Sequence, residues 1–130
     1  MNHADQPRDV CGFFFRAPPA HTPASDLDAF LAVGPPPIYI GFGSIVMDNP
    51  REIMAIIVNA VRSSGARAVI SKGWSQFGGS VDESIFFVGE CPHEWLFPRV
   101  AAVVHHGGAG TTACGLKYGI PTVIIPFFGE

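Results

Sequence analysis

The stretch Ala101-Ala102-Val103-Val104-His105-His106-Gly107-Gly108-Ala109-Gly110-Thr111-Thr112 decides the fold. Ala101 to His105 is a short apolar run and reads as a buried strand. Glycines then punctuate a turn. A helix is predicted to start near Ala109 and to end before Gly119. Thr122 to Ile125 reads as the next strand. Strand, turn, helix and strand form the repeating unit of a parallel sheet with right-handed crossovers.

Working backwards, the same unit recurs. Ile38 to Phe42 is an apolar run ending in glycine. Asn49 can cap a helix whose first residue is Pro50, and Glu52 stands three residues after the cap. Ile53, Ile56, Ile57, Ala60 and Val61 make one apolar face, read as core, and Gly65 is a stop. Ala68 to Ser71 and Ser84 to Val88 are further strands. A helical turn is expected around His93 to Phe97, between Pro92 and Pro98. The strands lack polar alternation, as strands buried on both faces do. The class is therefore α/β, with a Rossmann-like parallel sheet.

Residues 1–34 differ. Most of the twelve prolines precede Ile38, whereas most of the fifteen glycines follow it. The segment reads as a linker, with one short helix candidate from Ser25 to Leu31 and Ser25 as its N-cap. Phe13, Phe14 and Phe15 are costly if exposed, so they are expected to pack on the core or on a partner.

The bulk numbers set limits. A chain of 130 residues, 48% hydrophobic and with mean hydropathy +0.30, folds as one domain and is not disordered. A two-domain enzyme with its site in the cleft does not fit. The net charge is −3 and the basic residues are scattered, which argues against nucleic-acid binding. The three cysteines, Cys11, Cys91 and Cys114, suggest a reducing, intracellular setting rather than a disulfide framework. The N-terminus has no apolar core of the signal-peptide type.

The turn at His105–Thr112 also carries the chemistry. Its glycines let a ligand's oxygens approach the backbone. The free N–H groups of the helix start and the helix dipole favour an anion. Thr111 and Thr112 add hydroxyls, and a histidine adds a further donor. The residue types suit a diphosphate held without a metal; a turn made only for tight packing would read similarly. Gly41-Phe42-Gly43-Ser44 is a second glycine turn, and Ser44 either reaches a phosphate oxygen or is a simple turn residue. Zinc at His105, His106 and Cys114 is rejected, because adjacent residues on a strand face opposite ways. His105 is read as structural, Trp95 and Phe97 as core, and Lys72 as solvated. Trp74 either lines a pocket or packs. His93 either touches a ligand or caps.

From Pro35 to Glu130 the sequence resembles the C-terminal, donor-binding domain of GT-B glycosyltransferases that use UDP-sugars. Fungal and plant sterol 3-beta-glucosyltransferases are the nearest in wording. The blocks that carry this are residues 36–45, Ser71 to Trp74, Cys91 to Phe97, His105 to Thr112 and Gly119 to Glu130. Gly12 to Phe15 and the proline-rich stretch look like that family's linker between its two domains.

The resemblance implies roles by position. Ser44, His106, Gly108, Ala109, Gly110 and Thr111 would hold the donor diphosphate. Cys91, Pro92, His93 and Trp95 would form the loop against the base, and Glu130 would hold the donor sugar. Cys114 stands where plant relatives have a ribose-binding glutamate. Aspartate is usual where Glu130 stands, and the glutamine expected after it lies beyond this sequence. The resemblance implies no catalytic residue within this chain, because the family's base lies in an N-terminal domain.

The implied function is the donor part of an inverting UDP-glucose-dependent glucosyltransferase with a sterol acceptor. No cofactor or metal is implied beyond UDP-glucose itself. The lipid or sterol acceptor would be reached through the missing N-terminal domain, in a cytoplasmic enzyme able to associate peripherally with membranes. The alternatives are the donor half of a two-chain N-acetylglucosaminyltransferase and a non-catalytic nucleotide-binding remnant. Residues 1–34 would be linker, and residues 35–130 a donor domain truncated at its C-terminus, with exposed apolar surface near Pro126.

Overall fold

The computed structural model describes residues 9, 11–15, 17–42, 49–72, 79–80 and 82–126, with backbone alone for 79–80. Ser44, Trp74 and Glu130 lie outside the described residues. Eleven elements follow in order, ten of them labelled. They are α1 Ser25–Ala32, β1 Ile38–Ile40, α2 Pro50–Ser64, β2 Ala68–Ser71, β3 Gly79–Ser80, β4 Ile85–Val88 and α3 His93–Leu96. A 3-10 turn Phe97–Arg99 then leads to β5 Ala102–His105, α4 Ala109–Lys117 and β6 Thr122–Ile124.

The sheet order is β3-β4-β2-β1-β5-β6. Every pairing is parallel except β3 with β4. The α/β reading therefore holds, and the antiparallel edge strand is an addition to it. β3 is only two residues long and pairs at Gly79–Phe87 and Ser80–Phe86. A Gly-Ser dipeptide has no side-chain pattern from which to read a strand.

Alternate residues along the strands feed two cores. Tyr39, Val69, Phe86 and Val103 join Leu27 and Phe30 of α1, Leu96 and Phe97 beyond β4, and Cys114 of α4. Ile40, Ala68, Ile70, Ile85 and Phe87 pack against Val61 of α2 on the other face. Leu96, Phe97, Val69 and Val103 are fully buried. Each such apolar side chain contributes about 1.5–3 kcal/mol relative to exposure.

Helix ends show where local rules were overruled. Gly65 ends α2 in the left-handed region at φ +72°, as expected. Asn49 occupies the N-cap position, but its side chain makes no cap bond; its carbonyl accepts from Ile53 N at 3.1 Å. Ser25 is not the N-cap of α1. Ala24 holds that place and its carbonyl accepts from Asp28 N at 3.1 Å.

The apolar face of α2 is also rotated from the expected one. Met54, Ile57, Val58 and Val61 pack inward, at spacings 0, 3, 4 and 7, while Ile56 is 62% exposed. Met54 and Val58 follow one residue behind part of the expected stripe, and the sheet selects between two overlapping faces.

The strands end slightly inside the expected limits. Gly41 no longer counts as strand but still donates to Val104 O at 3.0 Å. Ser84 leaves β4 because Asp82 Oδ1 accepts from its N and Oγ, at 2.7 and 2.6 Å. These bonds, first with Ser84 and then with Arg62, hold the Asp82 carboxyl down at about 2.

The helix of the N-terminal segment docks on the sheet. Leu27 and Phe30 are buried, and Arg67 ties α1 down. Its guanidinium lies 4.2 Å from the Phe30 ring centroid, donates to Pro35 O at 2.8 Å and also donates to Phe30 O. Phe13, Phe14 and Phe15 stay exposed, at 44%, 92% and 55%. The apolar surface expected near Pro126 is present: Val123, Ile124 and Ile125 on and after β6 are all exposed.

Candidate functional site: the turn between β5 and α4

The strand order reverses between β1 and β5. From β1 the chain winds outward to β2 and β4; from β5 it winds the other way to β6. Ligands of open parallel sheets bind at such a switch, outside the carboxyl ends of the strands. Here those ends are Gly41 after β1 and His106–Gly108 after β5, joined by the Gly41–Val104 bond. The sequence motif therefore sits where the topology places a ligand.

The turn is built from three local events. His105 is 1% exposed, and its Nδ1 accepts from Gly107 N at 2.9 Å. An acceptor Nδ1 means a neutral ring with the proton on Nε2. Burial, then the neighbouring His106 and His93, push the His105 pKa down, in keeping with that state. Gly107 adopts φ +98°, which favours glycine. Gly108 is the N-cap of α4, and a Cβ there would lie 2.8 Å from His106 Cε1. The His106 ring thus lies across Gly108, and only glycine leaves room for it.

Beyond Gly108 the helix presents its N-terminus. The first intrahelical bond runs from Thr112 N to Gly108 O at 2.9 Å, so the N–H groups of Ala109, Gly110 and Thr111 precede the ladder. No acidic side chain occupies this first turn. An anion there gains about 0.3–2 kcal/mol from the dipole. Among the described residues, His106 Nδ1 and Thr112 Oγ1 are buried atoms without a hydrogen-bond partner.

A cavity of about 530 Å³ opens beside this turn. One wall is the first half of α4, including Gly110, Thr111 and Cys114. The opposite walls are Cys91, Pro92, His93 and Glu94 of the loop after β4, and Phe14 and Phe15 of the N-terminal segment. Of the expected site residues, the structure thus brings Cys91, Pro92 and His93 together with Gly110 and Thr111. His106, Gly108 and Ala109 precede the wall in the turn.

The loop residues differ in freedom. The His93 Nε2 lies 3.3 Å from the Tyr39 hydroxyl, and its ring stacks on Phe97 with centroids 4.8 Å apart. Burial pushes the His93 pKa down, and burial pushes the Tyr39 hydroxyl up to about 12. His93 is therefore an anchored residue of the cavity lining. Burial also raises the Cys91 thiol pKa, and its Sγ lies 3.8 Å from His21 Nε2.

Trp95 is not among the residues that line this cavity. His21 meets its ring edge-on at 5.1 Å, and the Arg99 guanidinium sits 4.2 Å from its centroid. Phe97 is fully buried, as expected of core. Lys72 lies along Gly89, with Cε 3.2 Å from the position of a Cβ there.

The rings of His105 and His106 are nearly perpendicular, 6.3 Å apart, as their opposite facing requires. Among the described residues, no group of three or more His, Cys, Asp or Glu is placed to hold a metal ion. No described helix is long and apolar enough to cross a membrane. The sequence reading missed Glu94, Phe14 and Phe15 as cavity residues. The unsupported Phe triplet was the one signal that could have found two of them.

Known proteins share this arrangement. Residues 51–130 match the erythromycin biosynthesis protein CIII-like C-terminal domain. A sterol 3-beta-glucosyltransferase of Arabidopsis thaliana is 45% identical over 126 residues, covering 94% of this chain and 20% of the relative. A sterol 3-beta-glucosyltransferase of Pichia angusta is 46% identical over 100 residues, covering 72% of this chain and 8% of the relative. The chain thus spans about a fifth or less of the length of these relatives.

Among solved structures, the glycosyltransferase SnogD from Streptomyces nogalater aligns with TM-score 0.64 at 26% identity, over 86% of this chain and 31% of that chain. The glycosyltransferase VinC, solved in complex with dTDP, aligns with TM-score 0.58 at 27% identity, over 86% of this chain and 28% of that chain. By sequence match and by fold, the chain belongs to the erythromycin biosynthesis protein CIII-like C-terminal domain family of GT-B glycosyltransferases.

Proposed function

We propose that this chain holds the donor in glucosyl transfer from UDP-glucose to a sterol. The observation that carries the reading is the β5–α4 turn at the switch point, with free helix N–H groups beside a cavity of nucleotide size. The names of its relatives, sterol 3-beta-glucosyltransferases, supply the sugar and the acceptor class. VinC was solved with a nucleoside diphosphate, dTDP, which supports the same ligand class.

In the intact enzyme, the acceptor hydroxyl oxygen attacks the anomeric carbon as the bond to the diphosphate oxygen breaks, with inversion. Negative charge grows on the departing UDP. The N–H groups of Ala109, Gly110 and Thr111, with His106, are preorganised to meet that charge. Ser44 and Glu130 are assigned to a phosphate and to the sugar hydroxyls. The base that takes the acceptor's proton, and the acceptor pocket, belong to another part of the enzyme. That enzyme is proposed to be cytoplasmic and to touch membranes peripherally, where a sterol is reached.

Thermal unfolding of the 130-residue chain with UDP, UDP-glucose, UDP-N-acetylglucosamine and dTDP tests the reading, because stabilisation follows occupancy. UDP and UDP-glucose are expected to raise the midpoint more than dTDP at equal concentration. No shift with any of the four would refute it.

A further inference from the structure

We infer that Phe14 and Phe15 form the stacking platform for the nucleobase of the bound nucleoside diphosphate, in place of the loop tryptophan. The inference rests on the donor-binding reading above and adds the residues that hold the base.

The cavity lining combines the start of a helix with exposed aromatic rings. Gly110 and Thr111 lie on its wall within the first turn of α4. Phe14 and Phe15 lie on its wall in the N-terminal segment. A nucleoside diphosphate has this division of chemistry, with phosphates for the helix start and a flat base for an aromatic face.

Trp95 is the aromatic that the loop itself offers, and it is already engaged. Arg99 lies over its ring at 4.2 Å, His21 meets it at 5.1 Å, and it packs against the core cluster. His93 is likewise spent, on Phe97 and Tyr39. Phe14 is 92% exposed, and no ring or cation contact to it occurs among the described residues. Phe15 is 55% exposed and carries Lys117 Nζ at 5.7 Å from its centroid. Apolar rings this exposed on a cavity wall leave a face that a base would cover.

Geometry also divides the labour. The loop residues Cys91 to Glu94 stand on another wall, where backbone and carboxylate groups can meet a base edge. The phenylalanines offer only faces. The α1 docking through Leu27, Phe30 and Arg67 fixes the chain just beyond them. The segment read as a linker is therefore part of the ligand site.

The test compares three forms of the full chain by titration calorimetry: wild type, Phe14→Ala/Phe15→Ala and Phe14→Tyr/Phe15→Tyr. UDP and inorganic pyrophosphate are the probes. The double alanine form is expected to lose about tenfold in UDP affinity, the scale of one base–aromatic stack, with pyrophosphate binding unchanged. Phe14→Tyr/Phe15→Tyr, which keeps the aromatic faces, should bind UDP as the wild type does.

Equal UDP affinity in wild type and the double alanine form overturns the platform while sparing the donor reading. A loss in Phe14→Tyr/Phe15→Tyr equal to that in the double alanine form also overturns it. Loss of pyrophosphate binding together with UDP would show a folding defect rather than a stacking role and would count against it. If wild type binds neither probe, the donor reading itself falls, and the platform with it.

Discussion

His105 and His106 are neighbours with opposite tasks. His105 faces inward and shapes the turn through Gly107; His106 lies across Gly108 at the ligand side. This division makes a sharp expectation for Gly108→Ala. The new methyl would meet the far end of the His106 side chain, which can swing aside. The change should therefore cost little stability, within about 1 kcal/mol, yet weaken UDP binding several-fold by displacing His106. Parallel thermal melts and UDP titrations check this; a large fall in melting temperature with unchanged affinity would be the wrong outcome. The diphosphate role of His106 rests on the family resemblance alone, but the structural role of His105 was legible in the sequence, where it closes a strand. The Tyr39–His93 contact was not. It joins residues 54 apart, and no local pattern announces it.

Elements were legible where glycine and proline mark their ends. β5, the turn and α4 match the reading because Gly107, Gly108 and Gly119 bracket the helix. α2 was found for the same reason, with Pro50 at its start and Gly65 at its end. Its rotation was not legible: isoleucines at 53, 56 and 57 satisfy helical spacing as well as Met54, Ile57 and Val58 do. Only the sheet beneath, through Ile40, Ile70 and Phe87, chooses. Ile56→Gln should thus change stability by less than about 0.5 kcal/mol, whereas Ile57→Ala should cost about 2 kcal/mol. Urea unfolding of the two variants separates them, and the reverse order would mean that the α2 face is wrongly placed. β3 escaped notice because two small residues carry no period. The helix α1 was legible, but its docking was not, because its anchor, Arg67, comes from beyond β1 in the sequence.

At the scale of the molecule, the sheet converts one reversal of strand order into one ligand site. Among the described residues, the features assigned to the donor lie at that end: the β5–α4 turn, the loop after β4 and the N-terminal phenylalanines. The opposite features are structural. α2 and its core cover the other face, and β6 leaves Val123, Ile124 and Ile125 exposed at the sheet edge.

The central claim is that the turn at His105–Thr112 holds a nucleoside diphosphate. Titration calorimetry of UDP against the wild-type chain and His106→Ala tests it most directly. The account predicts binding by wild type and at least about a tenfold loss in the variant, the scale of one charge-assisted hydrogen bond. Equal affinity in the two forms would remove His106 from the diphosphate site and contradict the account.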